Sequence, residues 1–334
     1  MNKGIEFCSD VSEEFRREVD DFVTEWESQN DFIEVQTSGS TGLPKTIRVP
    51  KHNAQISAKK TADFFGLGPQ SSLLLCLSAK HIAGKMMIVR AMECGGKLIV
   101  TSPTANPMLN TEGKRFDFAA FVPYQVSAIL SAEKSSAEYQ RIGSVIIGGA
   151  TLSLETEKKL PDFSNRQYAT FGMTETVSHF ALRNLGAKEE QYTCLPGFEI
   201  EVDLHGRLIL SKHPFSEEPF VSNDIVEVLD QQRFKWLGRC DNVINSGAVK
   251  IHPESIERLI EPLMNGVRFY VSSIPHPDFG QTALLVVEGE SLVGWRELRR
   301  KMTEILPAFH CPRGYRTIPK FDETETGKVI RQKF

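Results

Sequence analysis

Apolar residues recur along this chain in two rhythms. Phe15, Val19, Phe22, Val23 and Trp26 fall at helical spacing within residues 12–29, with Glu, Arg and Asp between them, which predicts an amphipathic helix. Phe32-Ile33-Glu34-Val35-Gln36 alternates as a short strand does, and a Ser/Thr/Gly-rich loop follows it. Residues 52–65 and 84–94 read as helices. Leu73–Leu77, Lys97–Thr101 and Ser144–Ile147 read as buried strands, with Gly95-Gly96 and Gly148-Gly149-Ala150 as turns. Apolar strands alternating with helices predict an α/β layout with a mainly parallel sheet.

After about residue 195 the strands shorten and alternate in polarity. Phe198–Val202, Arg207–Leu210 and Ile225–Leu229 suggest antiparallel pairing. From about Asn242 the pattern is helix 253–262, strands Val267–Val271 and Ala283–Val287, and helix 295–305, which fits a small α+β lid. The expected organisation is a core domain over residues 1–240 and a C-terminal lid over 241–334.

Composition narrows the class. The chain has 334 residues with 40% hydrophobic and 25% charged side chains, so it can bury a large core without staples. A net charge of −4 with scattered basic residues gives no electrostatic case for nucleic acid or an anionic membrane. The six cysteines form no C-x-x-C pair, which argues against a zinc site or disulfide framework. No apolar run approaches the roughly 20 residues of a membrane helix, and the first ten residues lack a signal-peptide layout. The reading is a cytosolic protein with small-molecule partners.

The richest chemistry lies in Thr37-Ser38-Gly39-Ser40-Thr41-Gly42-Leu43-Pro44-Lys45. Its glycines permit tight curvature and close backbone approach. Its hydroxyls and amides, with the Lys45 ammonium, suit a triphosphate. It is not a Walker A loop, since no G-x-x-x-x-G-K-[ST] occurs.

This loop resembles the phosphate-binding loop of the adenylate-forming superfamily of acyl- and aryl-CoA ligases, luciferases and peptide-synthetase adenylation domains. Further motifs follow in family order. Phe171-Gly172-Met173-Thr174-Glu175-Thr176 resembles the aromatic-Gly-x-Thr-Glu motif. The resemblance implies that Phe171 stacks near adenine, Thr174 contacts phosphate and Glu175 helps hold Mg²⁺. Asp224 matches the aspartate that accepts from the ribose hydroxyls, although Asn223 stands where the family usually has Gly. Gly238-Arg239-Cys240-Asp241 resembles the hinge motif, implying that Arg239 reaches ribose or phosphate and that the lid swings about Asp241. Gly247, Lys250, Pro253 and Glu257 fit its continuation. Thr326-Gly327-Lys328 resembles the motif of the catalytic lysine. His81 resembles a histidine beside the acyl channel, and Gly148, Gly149 and Ala150 resemble the turn lining the adenine and acyl sites.

Only 36 residues precede the phosphate loop, where typical members carry a large subdomain, so a compact form is expected. Compact size and the Gly172–His179 run are most similar to o-succinylbenzoate–CoA ligases of menaquinone biosynthesis. That resemblance implies ATP, Mg²⁺ and CoA, an acyl-adenylate, and a dicarboxylate substrate whose second carboxylate needs a cationic or hydrogen-bonding partner. Arg183, Lys85 and Arg90, with Ser178 and His179, are the candidates. Carrier-protein loading and a non-catalytic nucleotide-binding remnant are the competing readings. An ATPase or kinase would carry a motif that this chain lacks.

Overall fold

The computed structural model describes residues 4–36, 46–111, 113–323 and 329–334. Among these, one sheet of twelve strands organises the first two thirds of the chain. Its order is Ile5–Phe7, Lys97–Val100, Ser72–Leu75, Phe118–Phe121, Ser144–Ile147, Arg166–Gly172, His179–Asn184, Tyr192–Cys194, Arg233–Arg239, Phe220–Asp230, Arg207–Lys212 and Glu199–Val202. The first six strands pair in parallel. From His179–Asn184 onward every pairing is antiparallel. The parallel and antiparallel patterns of the sequence are therefore halves of one sheet. The turn that joins them is Met173–Ser178.

The parallel half is apolar because both of its faces are covered. Leu73, Leu75, Phe118, Ala120 and Ile146 face one core, packed under helices Glu13–Glu27, Lys51–Phe65 and Ile82–Cys94. Leu74, Ala119, Phe121, Val145 and Ile147 face the other, with helices Pro123–Leu130 and Glu133–Tyr139. Successive residues of each strand thus alternate between two interiors. Full burial of each Leu, Ile, Val or Phe among them stabilises the fold by about 1.5–3 kcal/mol.

A hairpin of Phe32–Gln36 and Thr46–Pro50 pairs in antiparallel register with Gln36 opposite Thr46. It brackets residues 37–45, so the expected phosphate loop lies outside the described residues.

A second sheet follows the short 3₁₀ turn Cys240–Asn242. Its strands are Val249–Ile251, Ile244–Ser246, Gly280–Glu288 and Phe269–His276, with Gly314–Ile318 parallel beside Gly280–Glu288. Helices Pro253–Ile260 and Trp295–Ile305 cover one face through Ile256, Ile260 and Met302. This is the α+β unit that the sequence pattern suggests. No helix among the described residues is long and apolar enough to cross a membrane.

The two units touch through charged groups. Glu157, on the helix Leu154–Lys159, receives Arg258 of the second unit at 3.1 Å. At the start of the same helix the Leu154 amide donates to Glu261 at 2.7 Å. Ser255 donates to the Leu237 carbonyl at 2.7 Å.

Candidate active site

Strand Ser144–Ile147 ends in Gly148-Gly149-Ala150 at the carboxyl edge of the parallel strands, where open α/β sheets place ligands. A Cβ on Gly148 would collide with Thr170 Oγ1, and Gly149 holds φ +89°. Only glycine fits both demands, and the result is bare backbone beside strand Arg166–Gly172.

That strand carries the aromatic-Gly-x-Thr-Glu motif into a 3₁₀ turn, Thr174–Thr176. Thr176 ties the turn together, receiving the Met173 amide at 3.0 Å and donating to the Ser178 carbonyl at 2.8 Å. Val177 closes it at φ +65°, a strained conformation for a β-branched residue, held by burial. The kink returns the chain so that His179 pairs with Gly172. A Cβ on Gly172 would strike the Ser178 carbonyl and lie 2.5 Å from His179 Cα. Thr174 is half-buried, and Glu175 stands exposed at a cavity of about 310 Å³ lined also by Asn53, Thr176, His213 and Phe220. No group of three His, Cys, Asp or Glu among the described residues could hold a metal. A magnesium ion at Glu175 would take its other ligands from nucleotide phosphates and water, as this ion commonly does.

Behind the turn lies a buried cationic cluster. Arg90, on helix Ile82–Cys94, is 2% exposed and has no acidic partner among the described residues. It donates to Ser178 Oγ at 2.6 Å and to Thr61 Oγ1 at 3.4 Å, and approaches the Met87 sulfur at 3.6 Å. Burial pulls its pKa down to about 10, so it remains charged at neutral pH. Ser178 Oγ lies 3.3 Å from His179 Nδ1. Ser178 Oγ, which accepts from Arg90, is thus shared between the guanidinium and the His179 ring. That Nε2 is buried with no hydrogen-bond partner. Burial, reinforced by Arg90, holds His179 well below the usual histidine range, hence neutral. The Arg90 guanidinium and the His179 ring thus meet at Ser178, whose backbone lies against Gly172, and the His179 Nε2 is left without a partner.

Asp224 lies on strand Phe220–Asp230, opposite Arg239. It is 7% exposed, accepts from Trp236 Nε1 at 2.9 Å and sits 3.6 Å from Arg239 Nη1. Burial raises its pKa, Trp236 and Arg239 oppose the rise, and Glu254 of the second unit adds to it. Arg239 also donates to Asp241 at 3.4 Å. Asp241 is exposed within the 3₁₀ turn between the two sheets, where a hinge would be.

His81 is half-buried at the N-cap of helix Ile82–Cys94. Gly84 allows that helix to start against the Ser78 carbonyl carbon, 2.5 Å from where a Cβ would stand.

Three of the expected residues are engaged within the protein. Lys85 pairs with Glu25 at 2.9 Å and lies over the Phe22 ring, so it braces two helices and is not offered to an acyl group. Arg183 is spent on Glu157, with bonds of 2.6 and 3.2 Å. Phe171 packs its ring against Phe180, Tyr192 and Phe234 at centroid distances of 5.1–5.6 Å. Strand alternation turns Phe171 away from the face on which Thr170 meets Gly148, so backbone and not its ring borders the glycine turn.

Thr37, Ser38, Gly39, Ser40, Thr41, Gly42, Lys45 and Lys328 lie outside the described residues. Both flanks of 324–328 are anchored. Glu323 bridges to Val329, and Arg331 grips Glu257 with bonds of 2.6 and 2.7 Å.

Known proteins share this fold. A 2-succinylbenzoate–CoA ligase of Salmonella typhimurium is 24% identical over 314 residues, covering 89% of this chain and 67% of that one. A namesake from Staphylococcus epidermidis is 24% identical over 323 residues, with 89% and 68% covered. The chain thus spans about two thirds of the length of these curated relatives. A Bacillus subtilis o-succinylbenzoate CoA synthetase, solved with its acyl-adenylate intermediate, superposes with TM-score 0.77 at 18% identity, covering 89% of this chain and 67% of that one. An AMP-forming acyl-CoA synthetase/AMP-acid ligase II-like protein from Dyadobacter fermentans is 35% identical, covers 96% of this chain and 93% of its own, and superposes with TM-score 0.66. A match to the AMP-binding enzyme family runs over residues 9–207, more than half of the sequence, and the chain belongs to that family.

Proposed function

We propose that this protein is an ATP-dependent, AMP-forming carboxylate–CoA ligase acting on o-succinylbenzoate. The carboxylate attacks the α-phosphate of ATP, giving acyl-adenylate and pyrophosphate. The CoA thiol then attacks the acyl carbon and AMP leaves. The bare backbone at Gly148–Ala150 and Gly172 admits the nucleotide, and Asp224 accepts from its ribose. Glu175 would hold a magnesium ion, which would neutralise charge on the phosphates. The exposed turn at Asp241 serves as the hinge, since one cleft cannot hold both a catalytic lysine and the pantetheine arm in attack geometry. Lys328 supports the first step and the loop around Lys45 clamps the triphosphate. The relatives named for the same substrate support the reaction class. We place the enzyme in the cytoplasm.

The observation that carries the substrate is Arg90. A buried guanidinium with no acidic partner among the described residues is costly unless an anion completes it. Its neighbours Ser178 and His179 abut Gly172, so an acyl group attached to AMP there would point its second carboxylate at Arg90. The test compares ATP–pyrophosphate exchange on o-succinylbenzoate and on 3-benzoylpropionate, which lacks the ring carboxylate. Wild type should prefer the dicarboxylate, by about 10²-fold if the charged contact contributes about 3 kcal/mol. Arg90→Met should erase that preference while leaving exchange on the monocarboxylate within a few-fold. An unchanged preference in the variant would refute the assignment.

A further inference from the structure

Strand Arg233–Arg239 carries one residue more than its neighbour pairs. Ile225 faces Gly238 and Val226 faces Trp236, so Leu237 has no opposite number. A bulge of this kind reverses side-chain alternation beyond it. Trp236 and Arg239 are three positions apart and would point to opposite faces of a regular strand. The bulge turns both toward Asp224.

The two neighbours hold Asp224 differently. Arg239 sits 3.6 Å from Asp224 Oδ2 and shares its charge with Asp241 in the inter-sheet turn. Its grip therefore changes whenever that turn moves. Trp236 donates to Oδ1 at 2.9 Å from within the same large sheet, and its ring packs against the first core. That bond joins two paired strands of the large sheet and does not run through the inter-sheet turn. An indole N–H is a donor only, so it favours a carboxylate that presents acceptors.

We infer that Trp236 is a positioning residue for Asp224, fixing the plane of its carboxylate so that the remaining lone pairs meet the ribose hydroxyls in both orientations of the lid. This rests on the reading of Asp224 as the ribose acceptor. Burial and Glu254 both favour protonation of Asp224, and Trp236 is one of the groups that opposes it.

The test removes only the N–H. Trp236→Phe keeps an aromatic ring in place, and circular dichroism with a melting curve checks the fold. Calorimetric dissociation constants are measured for Mg·ATP and for Mg·2′,3′-dideoxy-ATP, each across pH 5 to 8. Wild type should prefer ATP by about tenfold or more, the range of hydrogen bonds to a charged acceptor. Trp236→Phe should lose most of that preference, with dideoxy-ATP binding changed less than about twofold. Its acid limb for ATP binding should move to higher pH, because the bond it lacks favours ionised Asp224. Trp236→His, which restores a ring N–H, should recover part of the loss. A full ribose preference in Trp236→Phe would overturn the inference. Absence of any preference in wild type would instead sink the ribose role of Asp224.

Discussion

Replacing Glu157 by Gln removes one charge from a point where an arginine of the large sheet, Arg183, meets one from a helix of the second unit, Arg258. Arg183 is 4% exposed and Glu157 15% at the side chain, and the pair is bidentate at 2.6 and 3.2 Å. Arg183 also donates to the Glu189 carbonyl at 3.0 Å, but no second acidic group meets it among the described residues. Breaking a buried pair by deleting one partner costs about 3–5 kcal/mol. A glutamine oxygen still accepts one bond, which offsets about 1 kcal/mol. The expected loss is therefore about 3 kcal/mol, or roughly 6–12 °C in melting temperature at about 2–4 °C per kcal/mol. Arg258, 38% exposed, is the internal control, and Arg258→Met should cost about 1 kcal/mol or less.

The pH dependence has a definite sign. Burial pushes the Glu157 carboxyl up, but Arg183 and Arg258 together bring it below the ordinary value of 4.5. A depressed carboxylate contributes stability that is complete above its unfolded pKa and lost as pH falls through the folded one. The gap between wild type and Glu157→Gln should be constant from about pH 6 to 8 and close below about pH 4. Denaturant melts followed by near-UV dichroism measure it. A loss under about 1 kcal/mol, or an equal loss in Arg258→Met, would refute the reasoning.

Two further outcomes bear on the reaction. Lys328→Ala should nearly abolish adenylate formation while thioester formation from supplied acyl-adenylate stays largely intact, and equal loss in the two half-reactions would remove the proposed role. Gly172→Ala should raise the KM for the dicarboxylate at least about tenfold and cost about 1–3 kcal/mol, because backbone at Ser178 and His179 must give way; steady-state kinetics with a thermal melt would show either effect absent.

The fold was legible wherever side chains repeat. Helix 295–305 and strands 32–36 and 144–147 fall where periodicity puts them. The parallel-to-antiparallel change after residue 172 was half visible, because alternation reveals a strand's exposure and not its neighbour. The twelve-stranded order depends on contacts distant in sequence, such as Ile5–Phe7 against Lys97–Val100. At the site, glycines were legible because few residues can replace them at Gly148 and Gly172. Charges were not. Arg90 and Arg183 look alike in sequence, and only the position of Glu157 decides which is already neutralised. Val177 and Trp236 carry no signal of their own, since a strained φ and a bulge register arise only from pairing. An indole two positions before Gly238-Arg239 was the nearest hint available.

Arg90 also bears on how such a protein can be engineered. A buried cation with no acidic partner among the described residues is a local conflict in an otherwise consistent interior, and an apolar side chain of similar length would relieve it. Selection for thermal endurance alone should therefore drift toward Met or Leu at this position, yielding sturdier proteins that, on the role proposed for Arg90, are blind to the dianion. Libraries built to harden this scaffold should hold position 90 constant, and a stabilised clone that has lost its substrate should be sequenced there first.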